Sequence, residues 1–120
     1  MQTSNFARSS RDPNAVGIAL RPPPWWKGRN YRALAPDGDT LKLPWPEYVA
    51  RYRQKLARLS PQQVLADLGP DAILCCFERE RERCHRSLVA EWLEAELGIE
   101  VPEVPHGIPP RREEPAAFDL

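Results

Sequence analysis

The sequence predicts an α/β domain: a small single domain with a short, mostly parallel sheet flanked by helices. Three observations carry this. Two compact apolar runs, Ala15 to Leu20 (AVGIAL) and Ala72 to Phe77 (AILCCF), are bounded by turn residues and have the length and composition of buried strands. The segment between them ends in two helical patterns, and a third helix follows the second run. The order strand, helical crossover, strand, helix favours at least one parallel pair.

Each element has its own local signature. Pro46-Glu47 opens a helix in which Tyr48, Val49, Tyr52, Leu56 and Leu59 recur at helical spacing, with Arg51, Arg53, Lys55 and Arg58 on the other faces. Ser60, Pro61 and Gln63 form a capping-box pattern that opens a shorter helix, closed by Gly69. AILCCF is apolar at every position, as in a strand covered by helices on both faces. From Cys84 to Leu97, Leu88, Val89, Trp92, Leu93 and Leu97 make one stripe that ends at Gly98. Ile99 to Val104 reads as a short edge strand, because Pro102 is tolerated only at an edge or bulge.

The chain has 120 residues, room for one domain with a modest core. Its 14 prolines exceed the average share of about 5% and imply extensive loop or tail. Six of them lie in the 26-residue connection from Arg21 to Pro46, which also holds Trp25, Trp26, Tyr31 and Trp45, too many aromatics for a disordered linker. Residues 1–104 are expected to form the domain and 105–120 a disordered tail rich in proline and charge. No apolar run approaches the roughly 20 residues of a membrane span, and no secretory leader is evident. Three cysteines, two of them adjacent, suit a reducing compartment, so a cytoplasmic protein without membrane contact is expected. Net charge is zero, but residues 1–70 carry 11 Lys+Arg against 5 Asp+Glu and residues 71–120 carry 6 against 12. That asymmetry is far weaker than the basic patch of a dedicated nucleic-acid binder.

The chemistry concentrates around the second strand. Cys76 and Glu78 project from one face of that strand and Cys75 and Phe77 from the other. After an alternating Glu-Arg run, Cys84, His85 and Arg86 open the last helix. A strand's C-terminal end facing a helix N-terminus is where open α/β sheets bind ligands, and the helix end favours anions and thiolates. Cys84 therefore reads as an activated thiol, His85 as acid or base, Glu78 as orienting carboxylate and Arg86 as anion clamp. Equally, Cys84 can be a small core residue, His85 a cap and Arg86 half of a surface ion pair. Zinc on Cys76, Cys84 and His85 is a further reading, against which stand the missing C-x-x-C pair and the difficulty of aiming adjacent ligands at one ion. Cys75, separated from Arg81 by five residues, has phosphatase spacing, but the intervening glycine-free residues, three of them charged, cannot wrap a phosphate, so the match is coincidental. The Glu-Arg run itself reads as a solvated loop whose charges neutralise one another. Trp25, Trp26, Lys27, Arg29 and Tyr31 resemble a base-stacking surface, or plug the edge of the core.

Three blocks, Thr3 to Ala7 (TSNFA), Pro23 to Pro36 (PPWWKGRNYRALAP) and Cys76 to Leu93 (CFERERERCHRSLVAEWL), resemble the DUF488 family of small bacterial, archaeal and phage proteins. The most specific match is Cys76 and Glu78 near a strand end, then Cys84-His85-Arg86 at a helix start; Thr3-Ser4, Trp25 to Gly28 and Leu34 to Pro36 complete it. The resemblance implies an α/β fold and a shared pocket but no reaction. Family members commonly place a Pro/Gly-containing turn and an aromatic before Cys-His-Arg, where this chain has only charged residues from Arg79 to Arg83. The favoured expectation is a cysteine/histidine-dependent enzyme or pocket for an anionic nucleotide or nucleic-acid ligand. It joins Cys76, Glu78, Cys84 and His85 with the ligand-binding residues Thr3, Ser4, Asn5, Trp26, Gly28 and Arg86 and needs no cofactor. The alternatives are a non-catalytic nucleic-acid- or protein-binding module using the Trp/Arg loop, and a structural or redox zinc site.

Overall fold

The computed structural model describes residues 1–78 and 81–105, with the Glu82 side chain left out. The expected tail therefore lies outside the described residues from 106 onward, as do Arg79 and Glu80 of the charged run. Four strands, β1 (Gln2–Asn5), β2 (Ala15–Gly17), β3 (Arg29–Asn30) and β4 (Ile73–Cys76), form one sheet in the order β1-β4-β2-β3. Every pairing is parallel, with Asn5 opposite Cys76 and Gly17 opposite Cys75. The α/β class with a short parallel sheet is thus the observed one. Because all strands run the same way, their C-terminal ends gather along one edge of the sheet.

β4 lies between β1 and β2, and its side chains alternate. Leu74 and Cys76 join a cluster with Tyr52, Leu56, Val64, Leu88, Val89 and Leu93, whereas Ile73 and Cys75 pack with Phe6, Ala15 and Ala19. The first cluster is the main core, supplied by three helices, α2 (Trp45–Ala57), α3 (Pro61–Leu68) and α4 (His85–Leu97). The opposite face is closed not by long helices but by the single turn α1 (Phe6–Ser9) and the loop residue Trp26. Burying one such side chain as fully as Leu74 contributes about 1.5–3 kcal/mol, which explains why four strand residues suffice to anchor the sheet.

The local signals act where expected. Ser60 Oγ accepts from the Gln63 amide at 3.2 Å, while the Gln63 side chain donates to Asp67 at 2.7 Å instead of returning to the cap. Gly98 ends α4 in the left-handed region at φ 68°. Two expectations on strands change. The run from Ala15 is a strand only to Gly17, although Ile18 still donates to the Cys75 carbonyl at 2.9 Å before the chain bends away. Ile99 to Val104 forms one parallel bridge, Glu103 to Thr3, in place of a strand. Among the described residues, no helix is long and apolar enough to cross a membrane.

Candidate functional site

β4 ends at Cys76, and Phe77 and Glu78 leave the sheet exposed to solvent. A 3-10 turn at Arg81–Arg83 brings the chain back, its Arg81 carbonyl accepting from the Cys84 amide at 3.1 Å. Cys84 then takes extended backbone angles as the N-cap of α4, and His85 is the first helical residue. This return places the Cys84 sulfur against that of Cys76: the two form a disulfide with Cα atoms 7.5 Å apart. Both cysteines, and His85, are buried.

His85 Nε2 lies 2.8 Å from the Ile18 carbonyl at the end of β2. A carbonyl only accepts, so Nε2 carries the proton and Nδ1 presents its lone pair, 3.8 Å from Cys84 Sγ. Burial, assisted by the Arg86 charge and partly offset by the Ile18 hydrogen bond, pushes the imidazole pKa down to about 4, so the ring is neutral at physiological pH. The Tyr52 ring meets it edge-on at 5.3 Å and fixes its plane.

Arg86 is fully buried. Its Nε and Nη2 grip the two oxygens of Glu103 at 3.0 and 2.8 Å. Its Nη1 donates to Cys76 Sγ at 3.0 Å and to the Glu78 carbonyl at 2.7 Å. Glu103 also accepts from Thr3 Oγ1 at 2.6 Å and faces Arg8 at 3.5 Å. Arg81 in turn donates to Thr3 Oγ1 and to the Val101 carbonyl, each at 2.9 Å. A chain of charged hydrogen bonds thus runs from the bridge at Thr3 to the sulfur at the end of β4.

In front of these groups is a cleft of about 430 Å³ with Cys76 and His85 in its floor. Leu41, Leu43, Trp45 and Tyr48 wall it, and Arg21, Glu78 and Arg83 stand exposed at its rim. Burial, with the Glu78 charge adding to it, raises the Tyr48 pKa far above the ordinary phenol value. A second groove of about 470 Å³, between α2, α3 and α4, contains neither cysteine nor histidine.

The ten residues named from the sequence therefore separate. Cys76, Cys84 and His85 meet at one point. Glu78 contributes its backbone carbonyl to Arg86, and the group that orients His85 is the Ile18 carbonyl, not a carboxylate. Arg86 was expected to clamp a ligand; its guanidinium instead fixes Glu103 behind the cysteines. Thr3 belongs to that same chain of bonds. Ser4 accepts from Ser9 at 2.7 Å, and Asn5 caps α1 by accepting from the Arg8 amide at 2.8 Å. Trp26 packs edge-to-face on Phe6 at 5.0 Å on the opposite side of the sheet, plugging the smaller core. Gly28 lies against the Trp26 ring, where a Cβ would stand 2.4 Å from Cζ2. Neither lines the cleft. Arg81 is no solvated loop charge but a hydrogen-bond donor to Thr3.

Sequence reasoning missed Glu103, Ile18, Arg21 and Arg83. The tripeptide Val101-Pro102-Glu103 after the last helix carries no chemical signature, and Ile18 acts through its backbone. Cys75 lies on the far face from this centre, and burial pushes its thiol up to about 12, so it stays protonated.

Compared with models of protein families, residues 21–97 match that of the active DUF488-N3 subclade. No curated protein matched the chain, and no solved structure did. With the matched segment spanning more than half of its length, the chain belongs to the DUF488 family.

Proposed function

We propose that this protein is a cysteine-dependent enzyme acting on an anionic, nucleotide-like ligand bound in the cleft at the C-terminal edge of the sheet. The observation that carries the reading is the shared floor: Cys76 and His85 line one cleft, and Cys84 is bonded to the sulfur that faces it. Its volume lies within the roughly 300–1,000 Å³ of small-molecule sites, and its aromatic and aliphatic walls suit a planar base. Arg21 and Arg83 at the rim suit a phosphate.

Reduction of the disulfide by two equivalents of a small thiol, which leave as their own disulfide, supplies two electrons and two protons and yields the working dithiol. Cys76, not Cys84, is then the nucleophile, because it faces the cleft and the adjacent Arg86 guanidinium favours its charged sulfur. Its electron pair forms a bond to an electrophilic ring carbon while the π bond of that carbon to its neighbour breaks. The neighbouring atom takes the proton of the Cys84 thiol, relayed through His85 Nδ1, which leaves Cys84 as thiolate.

Alkylation of the reduced native protein with iodoacetamide, followed by peptide mass spectrometry, tests the reading. Cys76 should react well ahead of Cys75, and a nucleoside monophosphate from a panel of common bases should slow it in wild type but not in the Arg21→Ala/Arg83→Ala double variant. Failure of Cys76 to react, or reaction at the same rate with every nucleotide present, overturns it.

A further inference from the structure

The Cys76, Cys84 and His85 cluster has a property that the thiol reading leaves unused. One ligand atom from each residue lies within 4.8 Å of the other two, and all three residues are buried. Nδ1 of His85 points its lone pair at the sulfurs because Nε2 is committed to the Ile18 carbonyl. That arrangement, one ring nitrogen anchored to a carbonyl and the other left basic, is how metal-bound histidines are oriented. We infer that in the dithiol form Cys76, Cys84 and His85 together bind one thiophilic divalent cation, of which zinc is the best chemical match, with its fourth position open to the cleft.

The geometry suits such an ion. A tetrahedral zinc with bonds of about 2.0–2.3 Å has ligand-to-ligand edges of about 3.3–3.8 Å, and Cys84 Sγ lies 3.8 Å from Nδ1. The Cα atoms of the two cysteines, 7.5 Å apart, stand wider than the roughly 4.4–6.8 Å usual for a disulfide, so the thiolates have room to part around an ion. The objection to adjacent ligands also falls away. Cys84 is extended and His85 helical, and this change of backbone at the helix start turns both side chains toward β4. Cys76 and His85 line the cleft whereas Cys84 does not, which leaves the open position facing the ligand space. Three protein ligands and one vacant position are the pattern of catalytic rather than structural zinc. Arg86, donating to Cys76 Sγ, is the outer partner that holds that ligand.

Binding converts two thiols to thiolates and releases two protons to solvent. A disulfide oxidant such as oxidised glutathione takes two electrons from the thiolate pair, is itself reduced to two thiolates that draw their protons from solvent, and leaves the Cys76–Cys84 disulfide with the ion expelled. The metal-bound centre, the metal-free dithiol in which Cys76 is a nucleophile, and the disulfide are therefore three mutually exclusive states of the same residues.

Cobalt(II) titration of the full chain, reduced with a phosphine and freed of excess reductant, is the test. The expected result is one cobalt per chain, with thiolate-to-cobalt charge transfer and the intense visible bands of a tetrahedral site. Cys76→Ser and Cys84→Ser should each lose much of the charge transfer, His85→Ala should weaken binding by ~10-fold or more, and Cys75→Ser should change nothing. Oxidised glutathione should bleach the spectrum. A reduced wild-type protein with native circular dichroism but no such bands overturns the inference, as does a spectrum that survives Cys76→Ser. The inference rests on the same residues as the enzymatic reading but not on its ligand: cobalt binding with no nucleotide protection sinks only that reading, and nucleotide protection without cobalt bands sinks only this one.

Discussion

Arg86 holds Glu103 through Nε and Nη2, at 3.0 and 2.8 Å, while its Nη1 lies 3.0 Å from Cys76 Sγ. One guanidinium therefore ties the segment after the last helix to the sulfur at the end of the central strand. Removing one partner of a buried ion pair strands the other. Because Glu103 retains Thr3, Arg8 and some solvent access, Arg86→Ala is expected to cost about 3 kcal/mol, the lower end for such pairs. Arg53→Ala, which removes the exposed pair with Glu91, should cost under about 1 kcal/mol. Urea denaturation of both variants checks the contrast.

Gly28 is expected to matter for packing rather than for ligand binding. A Cβ there meets the Trp26 ring at 2.4 and 2.8 Å, and Trp26 is held by Phe6. Gly28→Ala should destabilise by about 1–3 kcal/mol, the usual cost of overpacking, and shift the tryptophan emission, while iodoacetamide reactivity of reduced Cys76 stays unchanged.

The two left-handed glycines should differ. Gly98 has φ 68°, ψ 23°, a conformation other residues reach at about 1–2 kcal/mol. Gly69, at φ 88° and ψ 156°, lies near a region occupied almost only by glycine. Neither has a neighbour that would meet an added Cβ, so the comparison is free of packing effects. Thermal melts should show Gly69→Ala to be the more damaging.

All three tyrosines resist ionisation. Burial pushes Tyr31 up to about 12, with the hydrogen bond to Asp67 adding to it, and burial raises Tyr48 and Tyr52 further. In the unfolded chain they titrate near 10. Between those values the folded state binds more protons than the unfolded one, so their stabilisation is complete below pH 10 and is lost as pH rises toward the folded values. Spectrophotometric titration should show little tyrosinate at pH 11 in the native protein. Its appearance should follow the loss of tertiary circular dichroism.

Much of this was legible in the sequence because it is written in local patterns. Ser60-Pro61 and Gly69 delimit α3, and Cys84 and Gly98 delimit α4, through backbone rules that act within a few residues. The first strand was not legible, since Gln2 to Asn5 is polar throughout and its Thr, Ser and Asn side chains are buried only by virtue of partners at Glu103, Ser9 and Arg8. At the site, the meeting of Cys76 with Cys84-His85 follows from a strand end facing a helix start. Glu103 could not be foreseen, because its role depends on the chain crossing back beside Thr3, a contact across 100 residues. Within the Glu-Arg run, the described side chain of Arg81 is held by Thr3 and Val101, yet nothing in the sequence sets it apart from the other arginines of the run.

The bridge between Thr3 and Glu103 bears on where this molecule can be cut. The family match covers residues 21–97, yet β1, β2 and Glu103 all fall outside that interval. A recombinant fragment trimmed to the match would retain all three cysteines, His85 and Arg86 but strip the central strand of both its neighbours and leave the guanidinium without its carboxylate. Domain boundaries chosen for expression, or for transplanting the centre into another scaffold, have to run from β1 through at least Glu103.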